Sequence, residues 1–184
     1  MSDMPPPPPP GAQPSPGGDA PPGPLTLNIQ YTKDLSFEVP GAPEIFAVLR
    51  EQPRVDIQLD VQARPLQQDS GVFEVSLVIR TDAKASLNAA DQTCFIAELT
   101  YCGIFTVNVP PEQVEPVLLV ECPRLLFPFA RNILADVTRD GGFPPVLLAP
   151  IDFVALWQSR RGDGQGGLGS GGLGGGAGPV VGHA

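Results

Sequence analysis

Four runs in which apolar and polar residues alternate with period two constrain this chain more than any other feature. Strand side chains point alternately to opposite faces, so each run has one face suited to a core and one suited to water. In Leu25–Val39 the odd positions Leu25, Leu27, Ile29, Tyr31, Leu35 and Phe37 form the apolar face, and Asp34, Ser36 and Glu38 form the other. Arg54–Ala63 sets Val55, Ile57, Leu59 and Val61 against Asp56, Gln58, Asp60 and Gln62. Val72–Ala83 sets Phe73, Val75, Leu77 and Ile79 against Glu74, Ser76, Arg80 and Asp82, and Thr93–Val109 sets Phe95, Ala97, Leu99 and Tyr101 against Ile96, Glu98 and Thr100. Alternation of this kind predicts antiparallel strands with one wet face. That wet face is acidic, which suits docking better than chemistry.

The connections agree. Pro40-Gly41-Ala42-Pro43 stops the first run, while Gln67–Gly71 and Asn88–Asp91 supply turn residues. Gly103 interrupts the fourth run and predicts a bend or bulge there. After Pro110-Pro111 the period becomes helical. A short helix is expected over Glu112–Glu121 and a longer one over Pro123–Asp140, with Leu126, Phe129, Ile133, Leu134 and Val137 on one side and Pro128 in its first turns. Gly141-Gly142 ends it. An apolar loop with three prolines, Phe143–Pro150, leads to a last helix with Asp152 as its N-cap, Ile151 and Leu156 as a staple, and Arg160 and Arg161 in its final turn. The expected class is α+β: a four-stranded antiparallel sheet followed by two or three helices packed on one face.

Composition sets the limits of this domain. Residues 1–24 hold eleven prolines and no aromatic or β-branched residue, and residues 162–184 hold twelve glycines. Neither segment has the apolar side chains that offset the entropy of ordering, so both are expected to be disordered tails around a folded unit at 25–161. That unit carries all eleven basic residues and seventeen acids, a net charge of −6. Such a balance argues against nucleic acid and anionic membranes and in favour of a basic protein partner. No apolar run approaches the ~20 residues of a bilayer span, and the first residues lack the basic start and apolar centre of a secretory signal. Cys94, Cys102 and Cys122 have no metal-like spacing, so reduced structural thiols in the cytosol are expected.

Four segments stand out: Tyr-Thr-Lys-Asp-Leu-Ser-Phe-Glu at 31–38, Gly-Ile-Phe at 103–105, Cys-Pro-Arg-Leu-Leu-Phe-Pro-Phe-Ala-Arg at 122–131 and Gly-Phe-Pro-Pro-Val-Leu-Leu-Ala-Pro-Ile-Asp-Phe at 142–153. On them rests a resemblance to the SecB protein-export chaperones of proteobacteria. It covers residues 27–158 or so. It implies a cytosolic, ATP-independent holdase that assembles as a homotetramer, a dimer of dimers. Such a protein keeps secretory precursors unfolded and passes them to the SecA motor ATPase, without a cofactor and without entering the membrane. On the matching positions, the resemblance assigns SecA binding to Asp34, Glu38, Ile96 and Glu98. It assigns a client groove to Val55, Ile57, Leu59, Leu156 and Trp157, each of which reads equally well as core. Two departures stand out: the family's Gly-Gly before Ile-Phe is Cys102-Gly103 here, and the long Gly-rich C-terminal segment replaces a short acidic one.

Enzymatic readings find little support. The sole histidine, His183, lies one residue from the C-terminus, so no His-dependent catalytic or metal site can be assembled in the core. Two rivals stay open: a hotdog-like acyl-thioester enzyme, for which no catalytic Asp or Glu or coenzyme A site can be named, and a peptide- or lipid-binding adaptor with no motor partner. Thioesterase activity would single out the first. Indifference of partner affinity to Asp34 and Glu38 would single out the second.

Overall fold

The computed structural model describes residues 23–67, 70–87 and 90–163. The proline-rich and glycine-rich segments, with His183, lie outside the described residues. Four antiparallel strands form one sheet: β1 (Leu25–Glu38), β2 (Arg54–Pro65), β3 (Val72–Leu87) and β4 (Ala90–Val107), in the order β1-β4-β3-β2. The helices follow, apart from α1 (Glu44–Val48), a single unexpected turn directly after the Pro40–Pro43 stop. Its Ile45 is fully buried.

The core lies between one face of the sheet and the helices. Val75, Leu77, Ile79, Phe95, Ala97 and Leu99 are buried from β3 and β4, and Leu126, Ala130 and Leu134 meet them from α3 (Cys122–Asp140). The expected short helix is α2 (Pro111–Pro116), which passes through a π turn over Val117–Glu121 directly into α3. Pro128 therefore sits inside a continuous helical stretch and not near its start. Phe129, expected on the core side, is 47% exposed and stacks on Tyr101 at 6.3 Å. Gly142 ends α3 with φ +87°, its N–H bonded to the Arg139 carbonyl at 3.0 Å and the next N–H, of Phe143, to Thr138 at 3.1 Å. Helix α4 (Phe153–Asp163) is capped as expected: Asp152 Oδ1 accepts from the N–H groups of Val154 and Ala155, both at 3.0 Å.

The irregularities of the sheet fall elsewhere than predicted. The register of β1 against β4 slips between Leu27 and Ile29 and again between Thr32 and Asp34. Each slip adds one residue to β1 and turns its side chains over. Ile29 and Tyr31 therefore leave the core face, and the second slip restores Leu35 and Phe37 to the side predicted for them. In β4 the slip is at Cys94, between the Ala83–Phe95 and Lys84–Thr93 pairs, and not at Gly103. Gly103 serves clearance instead: a Cβ there would come within 2.6 Å of Phe105 and 2.9 Å of Leu126.

Candidate functional site

The outer face of the sheet carries the first candidate surface. Glu38 of β1 is paired with Ile96 of β4, Ser36 with Glu98, and Asp34 with Thr100. All four residues assigned to SecA binding thus fall on one face of two adjacent strands, the face turned away from the helices. Asp34 and Glu38 are exposed, and Ile96 and Glu98 are half-buried. The next strand adds a cation to this face. Arg80 stands opposite Glu98, donates to its Oε1 through Nη1, and grips Asp82 through Nε at 2.9 Å and Nη2 at 3.1 Å. These carboxylates, Asp82 first, push the Arg80 guanidinium pKa further up.

Farther along the same face, Glu74 departs from its predicted exposure. It is only 3% accessible, covered by Tyr31, Lys33 and Arg64. The Arg64 contact dominates, with Tyr31 and Lys33 adding to it, and it holds the Glu74 carboxyl down at about 2. The hydrogen bond to Glu74 in turn raises the Tyr31 phenol to about 12. This cluster joins β1, β2 and β3, and it exists because the β1 bulges turn Tyr31 outward. Beside it Ser76 Oγ and Cys102 Sγ lie 3.2 Å apart. All three cysteines are buried and free, and burial raises each thiol, Cys122 to about 12, so they are neutral at physiological pH.

The second candidate surface lies on the opposite, helix-bearing side. Val55 and Ile57 of edge strand β2 line a cavity of about 310 Å³ with Phe95 and the loop residues Pro144, Val146 and Leu147. Leu147 is 59% exposed and forms its rim. The loop is held in place from α3: the buried Thr138 hydroxyl accepts from the Val146 N–H at 3.0 Å while donating to the Leu134 carbonyl at 2.9 Å. A rosette of Phe37, Phe46 and Phe95 around Phe143 fixes the other end, with centroids 4.9–6.5 Å from Phe143.

Only part of the predicted groove comes together there. Leu59 is buried in the core. Leu156 and Trp157 are half-buried on α4, away from the cavity, where Trp157 Nε1 donates to Glu115 at 3.2 Å and Arg161 sits 4.9 Å over the indole. Helix α4 is tied to β2 by Arg160, which donates to the Val61 carbonyl at 3.0 Å and pairs with Asp60. Thr138 and the 144–147 wall are missing from the predicted set. The run of prolines among apolar residues was the one sequence signal for the wall, and Thr138 had none.

The chain matches the family described as "Preprotein translocase subunit SecB" over residues 19–163. It is 63% identical to "Protein-export protein SecB" of Acidiphilium cryptum over 153 residues, covering 78% of this chain and 92% of that one. It is also 63% identical to the protein of the same name from Granulibacter bethesdensis over 145 residues, covering 77% and 85%. Among solved structures, the Mycobacterium tuberculosis Rv1957 SecB-like chaperone, determined with a ChAD peptide from the Rv1956 HigA1 antitoxin, has a TM-score of 0.56. That alignment covers 69% of this chain and 90% of the neighbour at 16% identity, a likeness of fold. With the strand order, the helix sequence and the family match in agreement, this chain belongs to the SecB family of protein-export chaperones.

Proposed function

We propose that this chain is a cytosolic, ATP-independent holdase that binds secretory precursors before they fold and hands them to the SecA motor, using opposite faces of its sheet for the two partners. The observation that carries the reading is the separation of chemistries across the two faces of the sheet. Apolar groups at Val55, Ile57 and the 144–147 wall open on the helix side, while Asp34, Glu38, Ile96 and Glu98 lie on the other side. An apolar, proline-walled groove beside a strand edge accepts extended chains with little regard to sequence. A flat acidic sheet attracts a basic partner over a longer range and yields to salt.

Homotetramer assembly is supported by apolar surface that one copy leaves uncovered. Ile29 and Leu35 on edge strand β1 are 54% and 42% exposed, and Leu125 and Phe129 on α3 are 45% and 47% exposed. An edge strand with exposed apolar groups favours pairing with another copy, and an apolar helix stripe favours a second contact. The test of holdase action is the refolding rate of a denatured precursor in the presence of this chain and without nucleotide. The reading predicts arrest at stoichiometric tetramer, and unaltered refolding contradicts it.

A further inference from the structure

The outer face is not uniformly acidic: Lys33 and Arg64 cover Glu74 at one end, and Arg80 lies against Glu98 in the half that holds Asp34 and Glu38. Three nitrogens of Arg80 are occupied by two carboxylates, Glu98 and Asp82, on its own face. By contrast, neither Asp34 nor Glu38 has a cation within 4.0 Å among the described residues. Lys33, next in sequence to Asp34, is turned by the β1 bulge onto Glu74 instead. This half of the face is thus divided into an open strip along β1 and a masked strip over β3 and β4.

We infer that Arg80 sets the affinity and the footprint of the basic partner on this face: it masks Glu98, steers the partner's cations toward Asp34 and Glu38, and keeps binding weaker than the bare carboxylates would allow. The inference rests on the SecA-docking reading above. Arg80 also orients Glu98, an effect that would favour binding, so the two roles oppose each other. Both side chains are near half exposure, 41% and 44%, where holding an ion pair contributes little. The cancelled charge, however, is felt by an approaching partner across about a Debye length, 8–10 Å. Masking therefore outweighs orientation. A site of this kind suits a partner that must be released after delivery.

The test is the dissociation constant for full-length SecA, measured at low and high salt for the wild type, Arg80→Gln, Arg80→Lys, Glu38→Gln and Glu98→Gln. Arg80→Gln is expected to tighten binding about three- to tenfold at low salt and to lose that gain at high salt. Arg80→Lys keeps the charge and is expected to stay within about twofold of the wild type. Glu38→Gln is expected to cost more than Glu98→Gln, a comparison that needs no change at Arg80. Arg80→Gln binding more weakly than the wild type, or Glu98→Gln costing more than Glu38→Gln, overturns the inference and makes Arg80 a contact or positioning residue. A wild type that does not bind SecA at all overturns the docking reading itself, a distinct result.

Discussion

Glu38 and Ile96 stand directly opposite each other on β1 and β4, and the next outward pair joins Ser36 to Glu98. An apolar side chain is thereby flanked by carboxylates on a flat antiparallel surface, an arrangement that combines charge attraction with a small dry contact. Changing Glu38 or Glu98 to Lys reverses a charge at the centre of this surface. Each substitution is expected to weaken SecA binding by about tenfold or more while leaving client affinity within about twofold. Fluorescence titration with SecA and, separately, with an unfolded precursor checks this. Equal loss of both partners would contradict the two-face arrangement.

The groove makes the complementary prediction. Leu147 lines the cavity from its rim and is 59% exposed, so replacing it disturbs the fold little. Leu147→Asp removes apolar contact area and puts a charge at the rim of the proposed client groove. Client affinity is expected to drop about five- to tenfold, equivalent to about 1–1.4 kcal/mol, with SecA binding unchanged. Isothermal titration with a denatured precursor measures it.

Thr138 links the helix to the groove wall, and Thr138→Val tests that link. The replacement is nearly isosteric but leaves the Val146 N–H without its buried acceptor. A loss of about 1–3 kcal/mol in urea unfolding is expected, together with faster amide exchange at 144–148. Unchanged exchange there would remove Thr138 from the support of the wall.

Glu74 predicts a pH dependence. Its carboxyl is held at about 2, below the ordinary 4.5, chiefly by Arg64. A depressed folded pKa means that its stabilisation is complete above about pH 5 and is lost as pH falls from there toward 2. Glu74→Gln is expected to lower stability by about 2 kcal/mol at pH 7 and to narrow the gap from the wild type as the medium is acidified. Thermal unfolding between pH 7 and pH 3 reads this directly, and a constant gap would contradict it.

Much of this architecture is legible in the chain because period-two alternation maps directly onto strand faces, as at Val55–Val61 and Phe73–Ile79. The same rule misplaced Ile29 and Tyr31. A bulge adds one residue without any required change in residue type, so Asn28 and Lys33 carry no mark of the register slips beside them. Glu74 reads as a solvated charge until Tyr31, Lys33 and Arg64 are brought over it from two other strands. Alternation assigned Asp34, Glu38, Ile96 and Glu98, the proposed docking residues, to the outer face through the regular segments that contain them. The groove was only partly legible, because an apolar residue on β2 has the same pattern whether it faces the core, like Leu59, or a cavity, like Ile57. Arg80 was visible as a charge on the wet face, but its hold on Glu98 depends on the register between β3 and β4.

The most direct test of holdase action by an assembled oligomer is light scattering behind a sizing column, with and without a chemically unfolded precursor and with no nucleotide present. The account predicts a tetramer whose mass rises by that of one client chain. A monomer or dimer whose mass is unchanged by the unfolded chain would contradict it.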